Sequence, residues 1–92
     1  MIRSFASRDT EKLFTRRTVL RLRHIEKVAR RKLLMIDAAT TLNELGSVPG
    51  NRLETLAGRR LGQHSIRIND QWRICFRWRN GDVYDLEIVD YH

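Results

Sequence analysis

The chain has 92 residues, 41% of them hydrophobic and 32% charged, and its formal net charge is +7. That length leaves room for one modest core, so we expect a single domain, residues 1–92, and the composition excludes a disordered chain. The absence of a long apolar run, of a signal peptide's apolar stretch and of a second cysteine excludes a membrane span and an internal disulfide, so we expect a cytoplasmic protein with no metal or cofactor.

The first half of the chain has the periodicity of helices. Ser7 or Asp9 can cap a first helix, because their side-chain oxygens accept hydrogen bonds from free backbone N–H groups. The main amphipathic helix follows, and Lys32 falls on its apolar stripe. The elements predicted for this half are a short edge strand, a first helix, the main helix and a helical turn that ends in glycine: residues 1–5, 8–16, 20–39 and 40–46.

The second half alternates with the period of two that is typical of strands. The stretch Val48-Pro49-Gly50 contains the only proline and marks the change from helices to strands. Asn80-Gly81 is the strongest hairpin signal, because both residues tolerate the positive φ of a tight turn. The predicted strands are residues 52–56, 63–68, 72–78 and 83–89.

Alternation divides these strands into an apolar and a polar face. Arg73 and Arg77 fall on the polar face of the third strand. The residues expected on the apolar face are Trp72, Ile74, Phe76, Trp78, Tyr84, Leu86 and Ile88. A helical part over about residues 8–46 and a strand meander over about residues 51–92 together predict a compact α+β domain, with an antiparallel sheet of about four to five strands and two to three helices packed on one face.

The basic residues are mostly arginine, 15 of 18. Residues 52–79 hold seven arginines against two acids, whereas residues 80–92 hold four acids and no lysine or arginine. The rigid fork of arginine suits phosphate. We therefore interpret the basic segment as a nucleic-acid surface, and the alternative is an ordinary solvated face with surface ion pairs.

The chain ends in three side chains that handle protons, Asp90, Tyr91 and His92. RNA can be cut without a metal when its 2′-hydroxyl attacks the neighbouring phosphate, which requires a base, an acid and positive charge on the phosphate oxygens. His92 is a candidate acid, because Asp90 and its own α-carboxylate favour the imidazolium form. Tyr91 would orient it or donate in its place.

Two observations bear on that hypothesis. Alternation separates Asp90 and His92 from Tyr91, so the strand has to bulge or end near Val89 if all three serve one site. The alternative is a frayed strand end with no function. Arg73 lies in mid-strand away from the apolar face, where an arginine needs a partner or a ligand.

Five other residues receive structural interpretations. We expect Cys75 to be a half-buried strand thiol, His64 a satisfied histidine at the sheet edge, and His24 a surface residue. Trp72 and Trp78 share the parity of the core and are interpreted as packing residues rather than base-stacking platforms.

Four stretches resemble HigB-type toxins of the RelE superfamily: "MIRSF", "GNRLE", "GQHSIRINDQWRICF" and the terminal "EIVDYH". The resemblance implies a toxin of a type II toxin–antitoxin system that cleaves mRNA in the ribosomal A site and so inhibits translation. It also implies a cognate HigA-type antitoxin, with the toxin alone a monomer and the complex a hetero-oligomer. Asp90, Tyr91, His92 and Arg73 carry the catalytic residues of that family.

The sequence departs from the better-known member type at three places. It has Glu54 in place of a histidine and Ala57 in place of a lysine, and it lacks an additional arginine near Asn69. Glu54 is a candidate base or an ion-pair partner of Arg52 or Arg73. The residues predicted to bind RNA or the ribosome are Arg52, Arg59, Arg60, Arg67, Arg77 and Asn69.

Two alternatives of other classes stay open at this point. One is a toxin of the same fold that has no nuclease activity and inhibits a protein target such as DNA gyrase. The other is a module that binds RNA without cutting it.

Overall fold

The computed structural model describes residues 1–91. The α-helices are α1, Arg8–Phe14, α2, Glu26–Ala38, and α3, Leu42–Gly46, and two 3₁₀ helices cover Leu20–Ile25 and Gly58–Arg60. The strands are β1, Glu54–Thr55, β2, His64–Arg67, β3, Trp72–Arg79, and β4, Asp82–Asp90. They form one antiparallel sheet in the order β1-β2-β3-β4. The predicted α+β class, with a four-stranded sheet and three α-helices, is confirmed.

The main core lies between the helices and one face of the sheet, which we call the helix-covered face. Leu13 of α1 and Leu33 and Ile36 of α2 are fully buried against Ile74 and Phe76 of β3. Burying side chains of this size stabilises the fold by about 1.5–3 kcal/mol each relative to exposure. The opposite face, which we call the open face, carries the charged residues of β3.

The main helix begins later than the sequence predicts. Residues 20–39 were expected to form one helix, but Leu20–Ile25 is a 3₁₀ helix and α2 begins at Glu26. Leu22 and Ile25 are both buried, and a 3₁₀ helix aligns residues three apart on one side. Packing of this pair against the core therefore accounts for the tighter segment.

Lys32 lies on the buried side of α2, where its position on the apolar stripe placed it. Its side chain is only 6% exposed, and its Nζ donates a hydrogen bond to the carbonyl of Arg67 at the end of β2. Burial, with smaller contributions from Arg31, Arg67 and Arg73, lowers the pKa of this ammonium. The lysine therefore links α2 to the sheet.

The N-terminal segment covers the outer edge of β4. The predicted strand over residues 1–5 is reduced to two isolated parallel bridges, Ile2 with Val83 and Phe5 with Leu86. Further along the edge, the backbone N–H of Ile88 donates to the hydroxyl of buried Thr10 in α1 at 2.9 Å. These contacts satisfy backbone groups that an exposed edge would leave free for pairing with another chain.

A β-bulge in β4 makes one prediction wrong. Cys75 pairs with Glu87 but Arg77 pairs with Tyr84, so β4 has one extra residue across this stretch. Asp85 takes a positive φ of 53° there. The shift moves Val83 into the core and leaves Tyr84 on the open face, whereas unbroken alternation placed Tyr84 inside. Leu86 and Ile88 remain in the core as predicted.

The turns are close to the prediction. Ser7 caps α1 by accepting a hydrogen bond from the N–H of Thr10, and Asn80 and Gly81 have the positive φ of the expected hairpin turn. The first predicted strand of the meander, residues 52–56, is reduced to Glu54–Thr55. Arg52 has φ 46°, a left-handed conformation that a strand cannot contain.

In the described part of the chain, the helices are all too short or too polar to cross a bilayer.

Replacing Thr10 by valine should expose the amide of Ile88 to exchange. Valine keeps the shape of threonine but removes the only acceptor that the structure gives this N–H, at a cost of about 1–3 kcal/mol. The measurement is amide hydrogen exchange by NMR, with Thr10→Ser, which retains the hydroxyl, as the matched control. An Ile88 amide as protected in Thr10→Val as in Thr10→Ser would contradict this assignment.

Candidate active site

Arg73 is a buried arginine at the centre of the open face, and its side chain is held on several sides. Its Nε donates to Ser65 Oγ at 2.8 Å, and its Nη2 donates to the carbonyl of Arg52 at 2.7 Å. The residue is only 8% exposed. Removing an arginine from water requires such partners, so the predicted need for a partner is met within the protein.

Ser65 is a residue that sequence reasoning missed. It is fully buried in β2, on the strand next to Arg73, and its hydroxyl fixes the guanidinium plane. Alternation places Ser65 on the same face as Arg73 and Cys75, with which it pairs in register. A serine that faces a mid-strand arginine across two predicted neighbouring strands was therefore a signal available in the sequence.

Arg52 acts through its backbone rather than its side chain. The left-handed conformation at this residue turns its carbonyl toward Arg73 Nη2. A positive φ is unfavourable for an arginine, and here it coincides with a hydrogen bond to a charged group, which is among the stronger hydrogen bonds. The exposed side chain of Arg52 stays available to a ligand.

Glu54 faces the same guanidinium. Its Oε1 lies 3.8 Å from Arg73 Nη2, and its side chain is 53% exposed. An exposed pair at that distance adds little stability. The carboxylate therefore remains accessible beside a fixed cation, and both of its predicted roles, base and ion-pair partner, are compatible with this geometry.

The end of β4 brings Tyr91 to Arg73. The Tyr91 ring centroid lies 5.8 Å from the Arg73 guanidinium carbon, within the range of a cation–π contact. The ladder is regular from Ile88 to Asp90, with Arg73 paired to Val89 and Trp72 to Asp90. The irregularity of β4 lies at Asp85 and not near Val89.

Asp90 therefore follows Ile88 in alternation and not Tyr91. Its carboxylate accepts a hydrogen bond from Gln71 Nε2 at 3.1 Å. His92 lies outside the described residues. The structure thus brings together Arg73, Glu54 and Tyr91, while shared action of Asp90 and His92 with them stays a prediction.

Several of the arginines predicted to bind RNA are engaged in ion pairs. Arg60 pairs with Glu87 at 3.4 Å and Arg77 with Asp85 at 3.3 Å, and Arg67 pairs with the exposed Asp70. Arg59 is exposed. Because each pair offsets a charge, the sheet side attracts phosphate less strongly than the sequence count indicates.

Asn69 has a structural task in the turn between β2 and β3. Its Oδ1 accepts from the backbone N–H groups of Gln71 and Trp72 at 2.9 and 2.8 Å. This is the turn chemistry typical of asparagine. The side-chain oxygen is thereby used, and RNA contact by Asn69 stays a prediction.

A loop that contains the Gly58–Arg60 helix covers part of the open face. Cys75 and Leu56 are buried but lie outside the main core cluster. The loop is fixed to β3 at Gly62, where an added Cβ would lie 2.7 Å from Arg77 Nη1. Burial raises the pKa of the Cys75 thiol, which is unlike a nucleophile. The cysteine is fully buried rather than half-buried as expected.

The histidines and tryptophans in the described part have packing partners. His64 Nδ1 lies 3.3 Å from Thr55 Oγ1, and burial lowers the pKa of the imidazole. His24 packs edge-on against Trp72 with ring centroids 5.9 Å apart. Among residues 1–91, no three His, Cys, Asp or Glu side chains are grouped so that they could hold a metal ion.

Comparison with known proteins shows one family. The family described as RelE-like toxin of type II toxin–antitoxin system HigB matches residues 3–92. An endoribonuclease HigB from Proteus vulgaris is 35% identical over 94 residues, which cover 100% of both chains. Toxin HigB-1 from Vibrio cholerae is 46% identical over 57 residues, 62% of this chain and 60% of that relative. The matched stretch thus spans less than two thirds of the Vibrio protein.

Solved structures show the same fold. The toxin–antitoxin complex YoeB–YefM from Staphylococcus aureus, described as heterotetrameric, contains a chain that matches with a TM-score of 0.60. The match covers 100% of this chain and 98% of that chain at 20% identity. At that identity the likeness concerns the fold alone.

Truncating Ser65 to alanine should destabilise the protein through Arg73. Loss of a hydrogen bond to a buried charged group costs about 1.5–3 kcal/mol. The measurement is a double-mutant cycle by urea unfolding with Ser65→Ala and Arg73→Met. We expect Ser65→Ala to cost less than about 0.5 kcal/mol in the Arg73→Met background. Equal losses in both backgrounds would show that Ser65 does not support the guanidinium.

Proposed function

The chain belongs to the HigB-like family of RelE-like toxins of type II toxin–antitoxin systems, and on this premise we propose that it is a ribosome-dependent mRNA endonuclease. The observation that carries the proposal is the fixed, buried guanidinium of Arg73 between Glu54 and Tyr91. A cleavage reaction that develops negative charge on a phosphate needs such a cation held in place before the reaction begins.

The proposed chemistry is attack of the RNA 2′-hydroxyl on the adjacent phosphate, with no metal. A new bond forms from the 2′-oxygen to phosphorus, the bond from phosphorus to the 5′-oxygen breaks, and the products are a 2′,3′-cyclic phosphate and a 5′-hydroxyl. Arg73 stabilises the charge on the non-bridging oxygens. Within residues 1–91 its Nη1 makes no hydrogen bond, which leaves one donor nitrogen for the phosphate.

Proton transfer is assigned to groups that flank Arg73 or follow it in β4. Glu54 is exposed beside the guanidinium and is the proposed base for the 2′-hydroxyl. His92 is the proposed acid for the leaving 5′-oxygen, since imidazole titrates nearest to neutrality. Tyr91 positions the substrate or the acid, and Asp90 favours the charged imidazole.

The shape of the open face supports dependence on the ribosome. The two best-defined hollows of residues 1–91 are lined by α1 and by the α3 region, and neither includes Arg73. Without a cleft of its own, the site cannot orient a flexible RNA strand for in-line attack. A ribosome that holds the mRNA in the decoding site would supply that orientation, and proximity of this kind accounts for a large part of the rate of many reactions.

A type II toxin has a cognate antitoxin, and we propose one of the HigA type. The endoribonuclease name of the full-length Proteus relative supports the nuclease assignment. The solved YoeB–YefM neighbour is a toxin–antitoxin complex, which supports a hetero-oligomer for the neutralised form.

His92→Gln should abolish cleavage and leave ribosome binding intact, because glutamine cannot donate a proton at neutral pH. The measurement maps 5′ ends of a defined mRNA incubated with purified protein, with and without programmed ribosomes. Cuts should appear only with wild-type protein and ribosomes. General acid loss corresponds to a decrease of about 10²- to 10⁴-fold in the single-turnover rate.

Wild-type protein that arrests growth but produces no cuts in either condition would overturn the proposal. That result would favour a toxin of this fold that inhibits a protein target. Ribosome binding by wild-type protein with no cut and no growth arrest would instead indicate an RNA-binding module.

A further inference from the structure

The net charge of the chain comes entirely from one segment. Residues 8–32 contain ten lysines and arginines and three acids, a balance of +7 that equals the net charge of the whole chain. The remaining residues contain eight basic and eight acidic side chains and are neutral overall. The basic stretch over residues 52–79 is therefore offset by other residues of the sheet side, whereas the helical segment is not.

The structure places this charge on the other side of the sheet from Arg73. Helix α1 packs on the helix-covered face through fully buried Leu13, whereas Arg73 lies on the open face. On the sheet side, Arg60, Arg67 and Arg77 are ion-paired. The cations that stay unneutralised lie mainly on the helical side.

Three cations of this segment surround one hollow. Arg8 and Lys12 lie one helical turn apart on α1, and Arg17 follows the end of that helix. They line a concavity of about 580 Å³ together with Glu11 and Thr15. Within residues 1–91, none of the three cations forms an ion pair. We call this the α1 hollow.

The chain leading to Arg17 is held in place by a neighbouring arginine. Arg30 of α2 donates from Nε to the carbonyl of Leu13 at 3.2 Å and from Nη2 to the carbonyl of Arg17 at 3.1 Å. Arg16 takes a left-handed φ of 67° at this turn. The backbone that carries Arg17 is therefore fixed, and the hollow is a formed feature of the surface rather than a loose run of charges.

We propose that the α1 hollow binds the phosphate backbone of structured RNA, at a second surface separate from the Arg73 site. The inference rests on the proposed function for its setting: a domain of 31 × 26 × 26 Å inserted into an RNA-walled site meets RNA on more than one side. Phosphates fit because each neutralised contact releases condensed counterions. A protein partner fits less well, since the lining has no apolar side chain and protein interface centres are poor in charge.

The test compares two double variants with the same change in charge. Arg8→Gln with Arg17→Gln removes two cations of the α1 hollow. Arg3→Gln with Arg79→Gln removes two arginines outside it, one paired with Asp82 and one stacked on Tyr84. Affinity for programmed ribosomes is measured over a range of salt concentrations, and urea unfolding confirms that both variants are folded.

The hollow variant should bind ribosomes roughly tenfold more weakly, and its slope of log affinity against log salt should fall by about 2. The control should change affinity by less than about twofold. At saturating ribosomes, the single-turnover cleavage rate of the hollow variant should equal that of wild type, since the hollow is separate from Arg73. Equal weakening in both variants, or none in the hollow variant, would overturn the proposal.

The design separates this inference from the proposed function. If wild-type protein cuts no mRNA, the endonuclease proposal fails, but the ribosome-binding comparison still decides whether the hollow binds RNA. If the hollow variant keeps its ribosome affinity and loses affinity for the purified antitoxin, the hollow is a protein-binding surface and the RNA proposal is wrong.

Discussion

The open side of the sheet is organised around one buried positive charge. A guanidinium that is removed from water has to be surrounded by acceptors, and Arg73 obtains them from a buried serine on β2 and from the carbonyl of Arg52. The second contact depends on a left-handed residue, which in turn limits β1 to Glu54–Thr55. The same constraint that shortens a strand thus aims a fixed cation at solvent between Glu54 and Tyr91.

Residues whose environment is local could be predicted from the sequence. The Ser7 cap, the Asn80-Gly81 turn and the core face of β3 follow from short-range rules on capping, turns and alternation. The bulge at Asp85 could not be read in this way, because it depends on β4 pairing with β3 while Ser4 binds the Asp85 backbone N–H. That one extra residue exchanged Tyr84 for Val83 in the core.

The candidate site was predictable in its residues but only partly in its arrangement. Mid-strand placement identified Arg73, whereas the role of Ser65 required knowing which strands are neighbours. Charge counts along the chain identified arginine-rich stretches but not their ion pairs, which form between residues distant in sequence, such as Arg60 with Glu87. The division of labour that results, a nearly neutral reactive face and a cationic helical face, follows from tertiary structure alone.

The central claim is that Arg73 acts as a fixed guanidinium and not merely as a positive charge. Arg73→Lys tests it most directly, because lysine keeps the charge but cannot bond to Ser65 and the Arg52 carbonyl with the same planar fork. In folded protein that still binds programmed ribosomes, single-turnover mRNA cleavage should fall by roughly a hundredfold or more. Cleavage by Arg73→Lys at the wild-type rate would contradict the account.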